Sequence, residues 1–339
     1  MKLYRKTLYL LLAAIVFTGG LQADEVKKVA QTSMKWLALP VGARPVSMGS
    51  AYFCMLGSAD NIFVNPAGTA FIERPQMSIS MLPWFADINQ NSLALSVPLG
   101  NFGILTGSFR QVDFGEQQGT ILANNQQGWV FTDKFTPTAY QVGLGYAKRI
   151  TDRFSYGMHL SYAREDLANI YYAPVLDGSK DDPEIKDTQM SLSNFDFGVL
   201  YYTGFHDLRL GMTLKNFSEE QGYGNIGNPI PMDWRFGMAM NLLTLLPGES
   251  RTHKLTFAWD LSHPRDYSER LHFGLEYTFA ELLALRAGYK TNYDEQNISF
   301  GAGLMPQRTL GSVTFGLDYA YLPFGILGDV QVFSVSLGF

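Results

Sequence analysis

From Gln76 to Phe339 the chain alternates. In "FSYGMHLSY", Phe154, Tyr156, Met158, Leu160 and Tyr162 fall on one face; Ser155, Gly157, His159 and Ser161 fall on the other. "AYQVGLGYA" (139–147), "LRLGMTL" (208–214), "LTFAWDL", "FGLEYTF", "LALRAGY", "ISFGAGL" and "VTFGLDY" repeat the pattern. The last segment, "VQVFSVSLGF", sets Phe333, Val335, Leu337 and Phe339 against Ser334, Ser336 and Gly338. Successive side chains leave a strand on opposite sides, so this period of two predicts strands with one apolar face. The opposite face is the stronger constraint. It holds Gly, Ser, Thr and single charges, where a soluble sandwich would carry an ordinary charged surface. Charged residues make up 17% of the chain and aromatics 14%, against about 25% charged residues in a typical soluble domain. Apolar residues dispersed over alternate positions, with Tyr and Trp near strand ends, describe a transmembrane β-barrel with lipid outside and a polar lumen. Within lipid every backbone N–H and C=O needs a partner, and a closed sheet provides one without helices.

Fourteen strands are expected, at about 76–82, 90–98, 102–111, 137–149, 153–165, 188–202, 206–215, 232–242, 252–261, 269–278, 282–290, 296–304, 311–321 and 329–339. The number is even, as in bacterial single-chain barrels. Long connections at 112–136, 166–187 and 216–231 alternate with the short turns "PLGN" (98–101), "ITD" (150–152) and "GFH" (204–206). "LTLLPGESR" (243–251) is a longer inner turn. Long loops outside and short turns in the periplasm would put both termini in the periplasm. A terminal aromatic on an alternating strand resembles the C-terminal signal read by the outer-membrane assembly machinery.

The other end carries a different signal. Lys2, Arg5 and Lys6 precede an apolar run from Leu8 to Phe17, and "GGLQA" offers a cleavage site at Ala23. Residues 1–23 therefore read as a secretory signal peptide, too short in its apolar run to span a bilayer. Its removal takes three cations and moves the net charge from −5 to −8. That excludes nucleic acid as a partner, since such binding needs a basic footprint. Cys54 is the only cysteine; with no His in an electropositive setting beside it, it reads as a small buried apolar residue. Neither G-x-S-x-G nor H-E-x-x-H nor a Cys/His metal spacing occurs, so neither an enzyme nor a cofactor site is expected.

Residues 24–75 do not alternate. "SMGSAYFCMLGSAD" (47–60) suggests a short helix, and "VNPAGTA" (64–70) a turn set by Pro66. The segment's hydrophobicity favours filling the barrel as a hatch. "LPVGARPVSMGSAY" (39–52), "NPAGTA" (65–70) and "WFADI" (84–88), in that order, resemble the PorV/PorQ family. Cys54 and Thr69 depart from its pattern. The resemblance implies a FadL-like fourteen-strand outer-membrane barrel, with Asn65, Pro66, Ala67 and Gly68 as its hatch motif. It implies two alternative functions. One is a shuttle or acceptor for cargo of type IX secretion, with secreted proteins or a translocon barrel as partners. The other is a passive channel for hydrophobic small molecules.

Strand parity points His159, Asp196, Arg209, Arg235, Asp260, Glu276, Arg286 and Asp318 into the lumen, with Gln141 beside them. They could line a solute path or anchor the hatch. Ion pairing with one another is the plainer expectation, Asp196 with Arg209 and Glu276 with Arg286. Trp84 and Phe85 fall in the first external loop, where they would meet the membrane interface or a partner. Gly143, Gly145, Gly301 and Gly303 are candidates for a lateral opening. "GYGNIG" (222–227) has no βαβ context and reads as loop, and the acidic "DGSKDDPEIKD" (177–187) as a solvated loop.

Overall fold

The computed structural model describes residues 31–167, 188–220, 227–247, 252–304 and 313–339, and the backbone of 170–172 and 184–186. The signal peptide, most of the glycine motif at 222–227 and most of the acidic run at 177–187 lie outside the described residues.

Eighteen strands occur among them. Fourteen form a closed antiparallel barrel: β1 (Gln76–Pro83), β2 (Asn89–Pro98), β3 (Ile104–Asp113), β6 (Thr138–Arg149), β7 (Phe154–Asp166), β10 (Gln189–Tyr202), β11 (Arg209–Phe217), β12 (Asp233–Asn241), β13 (His253–Pro264), β14 (Arg270–Phe279), β15 (Leu283–Lys290), β16 (Ile298–Leu304), β17 (Thr314–Pro323) and β18 (Asp329–Gly338). Each expected strand lies within a few residues of an observed one. β18 closes on β1 from Gln76↔Gly338 to Met81↔Phe333. The other four strands form two hairpins in the long loops: β4 (Gln117–Leu122) with β5 (Trp129–Phe135), and β8 (Ile170–Tyr172) with β9 (Glu184–Lys186).

The alternation sorts side chains as read. Leu93, Leu95, Leu105, Phe109, Val142, Leu144, Leu160, Leu285, Phe300 and Phe333 point outward, each at least a third exposed. Ser92, Ser96, Thr106, Ser108, Ser155, Ser161, Thr213 and Ser299 point inward and are buried. Such outward side chains cost nothing in hydrocarbon, while the sheet satisfies its own backbone.

The lumen is occupied by the chain's own residues 31–75. This segment folds as four short helical turns: Lys35–Ala38, Ala43–Ser47, Ala59–Phe63 and Pro66–Phe71. It begins at the end of the barrel that carries the long loops. There Thr32 Oγ1 (2.9 Å) and Lys35 Nζ (2.5 Å) donate to Asp266, and Ser33 N donates to Pro229 O. It leaves at the opposite, short-turn end, where Phe339 N donates to Pro75 O. Of the expectation that both termini share one end, only the C-terminal half falls on described residues; the N-terminus lies outside them. Phe339 lies at the turn end, but the first described residues lie at the loop end, because the segment crosses the barrel before β1 starts.

Between those ends the segment circles the wall. Ala43 N donates to Ser334 on β18, Gly49 N to Ser299 on β16, and Tyr52 N and Phe53 N to Asp260 on β13. The Cys54 thiol lies over Gly211 on β11, Asn65 over Gly198 on β10, Pro66 over Gly157 on β7 and Ile62 over Gly145 on β6. Close approach explains the lumen glycines. A Cβ at Gly157, Gly198, Gly274, Gly288 or Gly301 would collide with Pro66–Ala67, Asn65, Met48, Met48–Gly49 and Ser47 respectively. Several of these glycines face one another across paired strands, as in Gly198↔Gly157 and Gly274↔Gly288. Gly145 and Gly301 thus seat the segment, and Gly143 and Gly303 make room for side chains of neighbouring strands. The β3–β6 and β16–β17 ladders run unbroken past all four.

Candidate functional site: the filled lumen and the loop-end hairpin

Asn65, Pro66, Ala67 and Gly68 are held by local chemistry. Asn65 caps the Pro66–Phe71 turn: its Oδ1 accepts from Ala67 N, with Pro66 in the first turn where a missing N–H is harmless. Its Nδ2 donates to Phe53 O (3.0 Å), tying two parts of the segment together. Ala67 is fully buried, and any Cβ at Gly68 would strike Asn61 and Met55 O.

The lumen charges form three clusters. In the first, Arg44 grips Glu276 with two bonds, Nε–Oε2 2.8 Å and Nη2–Oε1 2.7 Å. Arg286 donates to Glu276 Oε2 (2.6 Å) and to Asp318 Oδ1 (2.6 Å). Two cations and two carboxylates cancel, and the bidentate Arg44 contact is the strong form of such a pair. The expected Glu276–Arg286 pair is present because the two residues are direct cross-strand partners. Arg44 comes from the segment, so the cluster also fastens the segment to the wall.

In the second, His159 Nδ1 lies 2.9 Å from Asp196 Oδ2, and His159 Nε2 lies 2.8 Å from Ser108 Oγ. The expected Asp196–Arg209 pair is corrected. In an antiparallel hairpin Arg209 faces Tyr202, whereas the β-bulge at Phe195/Phe197 brings Asn216 to Asp196. Asn216, at φ 55°, donates its N–H to Asp196 Oδ1 (2.6 Å). Arg209 instead reaches Asp207, 3.7 Å away. Ser108, His159 and Asp196 have the hydrogen-bond order of a hydrolase triad. They are 6%, 1% and 3% exposed, and none lines any of the three lumen cavities described next. The arrangement fixes three strands to one another.

In the third, Arg235 pairs with Asp233 and lies over the Phe53 ring, 4.8 Å from its centroid. Asp260 accepts from the segment's Tyr52 N (2.7 Å) and Phe53 N (3.2 Å). Sequence reasoning missed Arg44, Arg110, Lys215 and Lys290. Strand parity could have found the last three. Arg110 donates to Gln141 Oε1 (2.9 Å) and lies over Trp36; Lys215 donates to Phe63 O. Cys54 is buried, and burial pushes its thiol pKa up.

Cavities remain on both sides of the segment. One of about 220 Å³ lies toward the loop end, lined by Lys35, Lys215, Arg235, Arg270 and Lys290 among others. Two of about 510 Å³ each lie toward the turn end. One of these is walled by Arg44, Arg209, Lys254, Glu276 and Glu281, and the other by Ile72, Glu73, Lys148 and Arg149. Among the described residues no group of three or more His, Cys, Asp or Glu is placed to hold a metal ion.

At the loop end Trp84 and Phe85 are half-buried. They pack on each other (5.3 Å) and on Phe324 (4.9 and 5.7 Å), above Leu82, Leu322 and Val332. They close the rim over the β1–β18 junction, which leaves little of either ring for the membrane interface. The β4–β5 hairpin presents more. Leu122 faces Trp129, and Thr120 faces Phe131, so these four share one face. Trp129 and Phe131 meet edge to face at 4.7 Å, and Phe131 is 65% exposed.

The fold has solved counterparts. The Pseudomonas putida toluene transporter TodX is 11% identical, with a TM-score of 0.56 over 87% of this chain and 96% of that one. A Pseudomonas aeruginosa FadL homologue is 12% identical, TM-score 0.53, over 88% and 98%. The Ralstonia pickettii toluene transporter TbuX is 11% identical, TM-score 0.54, over 87% and 96%. At such identities the likeness carries the fold alone. No curated protein matches the chain. Residues 86–332 match the family described as type IX secretion system membrane protein PorP/SprF.

Proposed function

This chain belongs to the PorP/SprF family of type IX secretion system membrane proteins, and on that premise we propose that it serves secretion by holding a protein partner at its loop end, as a cargo acceptor or surface-attachment component. The loop end then faces outward and the short turns face the periplasm. The finer kinship with PorV/PorQ-like acceptors rests on the motif order from Leu39 to Ile88, most of which precedes the matched family region. One observation carries the reading. The β4–β5 hairpin projects a Leu122–Trp129–Phe131 face that no barrel strand covers, and exposed apolar faces of this kind mark binding surfaces. Aromatic residues are the commonest anchors of such contacts.

A channel for hydrophobic solutes would need an apolar pocket beside the hatch and a gap in the wall. The cavities beside the segment mix charged groups with apolar side chains, Leu39, Val41 and Phe63 in one and Met55 and Leu56 in another, so neither is the wholly apolar pocket that reading needs. The test is affinity purification of the tagged barrel from gently solubilised outer membranes, beside a Trp129→Ser/Phe131→Ser variant. Secreted proteins sharing a C-terminal β-domain, or a large translocon barrel, should co-purify with the native chain and be lost from the variant. A barrel that emerges alone, with fatty acid or other hydrophobic solute extractable from it, sinks the proposal.

A further inference from the structure

The cavity toward the loop end has a charge imbalance. Five cations line it, Lys35, Lys215, Arg235, Arg270 and Lys290, against two carboxylates, Asp233 and Asp266. Lys35 is matched to Asp266, and Arg235 to Asp233. Among the described residues, Lys215, Arg270 and Lys290 form no ion pair with a carboxylate. Asp196 and Asp233 attract Lys215 from a distance, which leaves Arg270 and Lys290 as the lining cations least compensated, and buried cations without a counter-charge are costly unless something neutralises them.

The unmatched cations are also held in place. The Arg270 guanidinium lies over Tyr267 and Tyr293, 4.1 and 4.2 Å from their centroids, and its Nε is buried without a partner. Lys290, 3% exposed, lies over the same Tyr293 ring at 4.6 Å and donates to Gln296 Oε1 (2.9 Å). A guanidinium fixed by two rings offers its donors in a planar fork, the geometry that recognises oxyanions. A lysine beside it adds a point charge. The cavity has room for about seven waters at roughly 30 Å³ each, enough for one tetrahedral oxyanion with part of its hydration.

We propose that this cavity binds a phosphate group, held chiefly by Arg270 and Lys290 with Lys215 completing the charge. The group is a free phosphate or the phosphate of a lipid headgroup reaching over the rim. The proposal is independent of the secretion reading. Calorimetric titration of the full-length barrel with inorganic phosphate, in phosphate-free detergent buffer at constant ionic strength, should give saturable one-site binding that chloride does not reproduce. Arg270→Gln and Lys290→Gln should each weaken it at least about tenfold, the loss expected for one charged hydrogen bond. Arg270→Lys should fall between, keeping the charge without the fork. Electrophoretic mobility before and after heating confirms that each variant is folded. Phosphorus NMR of material co-purifying with the barrel distinguishes the sources: signal in the organic extract means a lipid headgroup, signal in the aqueous extract a soluble phosphate. Absence of saturable heat up to millimolar phosphate, or unchanged affinity in the folded variants, overturns the proposal.

Discussion

Glu276 shows how single residues hold this molecule together. It is 3% exposed and accepts from two arginines, one on the wall and one on the segment that fills the lumen. Glu276→Gln leaves Arg44 without its carboxylate and Arg286 with Asp318 alone. Removing one member of a buried ion cluster costs about 3–5 kcal/mol, and urea unfolding of the reconstituted barrel should register a loss of that size. Lys254→Gln breaks a pair in which both side chains are 47% exposed and should change stability by less than about 1 kcal/mol. Part of this scale was legible in the sequence. Strand parity pointed His159, Asp196, Glu276 and Arg286 inward but was not carried to Arg110, Lys215 and Lys290, and the Glu276–Arg286 pair followed because the two face each other across a tight hairpin. The partner of Asp196 was not legible, because a one-residue bulge at Asn216 decides it and nothing local announces a bulge. Arg44 was missed because its partner lies 232 residues away.

At the scale of elements, the strands and the filling of the lumen were readable, and the path of the segment was not. Period-two alternation is local, so fourteen strands could be counted from the sequence. The path of residues 31–75 depends on which wall positions lack a side chain, and that signal is spread over strands from β6 to β16. Glycine on a lumen face reads equally well as a kink, a gap or a seat. The wall predicts a sharp contrast between two glycines. Gly157→Val drives a side chain into the Pro66–Ala67 backbone, whereas nothing lies within 4 Å of a Cβ at Gly107. In reconstituted barrels, Gly157→Val should expose residues 66–75 to added protease at least severalfold faster than native protein, and Gly107→Val should leave the cleavage rate unchanged. The Asn65 cap gives a smaller effect of the same kind. Asn65→Ala should cost about 1–2 kcal/mol, from a lost cap and an unpaired Phe53 carbonyl, and unfolding curves measure it.

For the whole molecule, the barrel and the loop-end hairpin are separable. β4 and β5 pair only with each other, and Phe114 N returns to Pro137 O at their base. Replacing residues 116–135 with a short turn should therefore leave a heat-modifiable, folded barrel that no longer recovers the protein partner proposed for this face. Loss of folding instead would place the hairpin among the elements that stabilise the wall. The N-terminal segment fills the lumen, and the proposed function places the protein's action at its surface rather than through that lumen. Conductance across a planar bilayer tests that filling most directly. The intact protein should show no steady ion current, and a variant lacking residues 32–71 should open discrete conductance steps. A sustained current through the intact barrel would mean that the lumen is open and the segment is no seal.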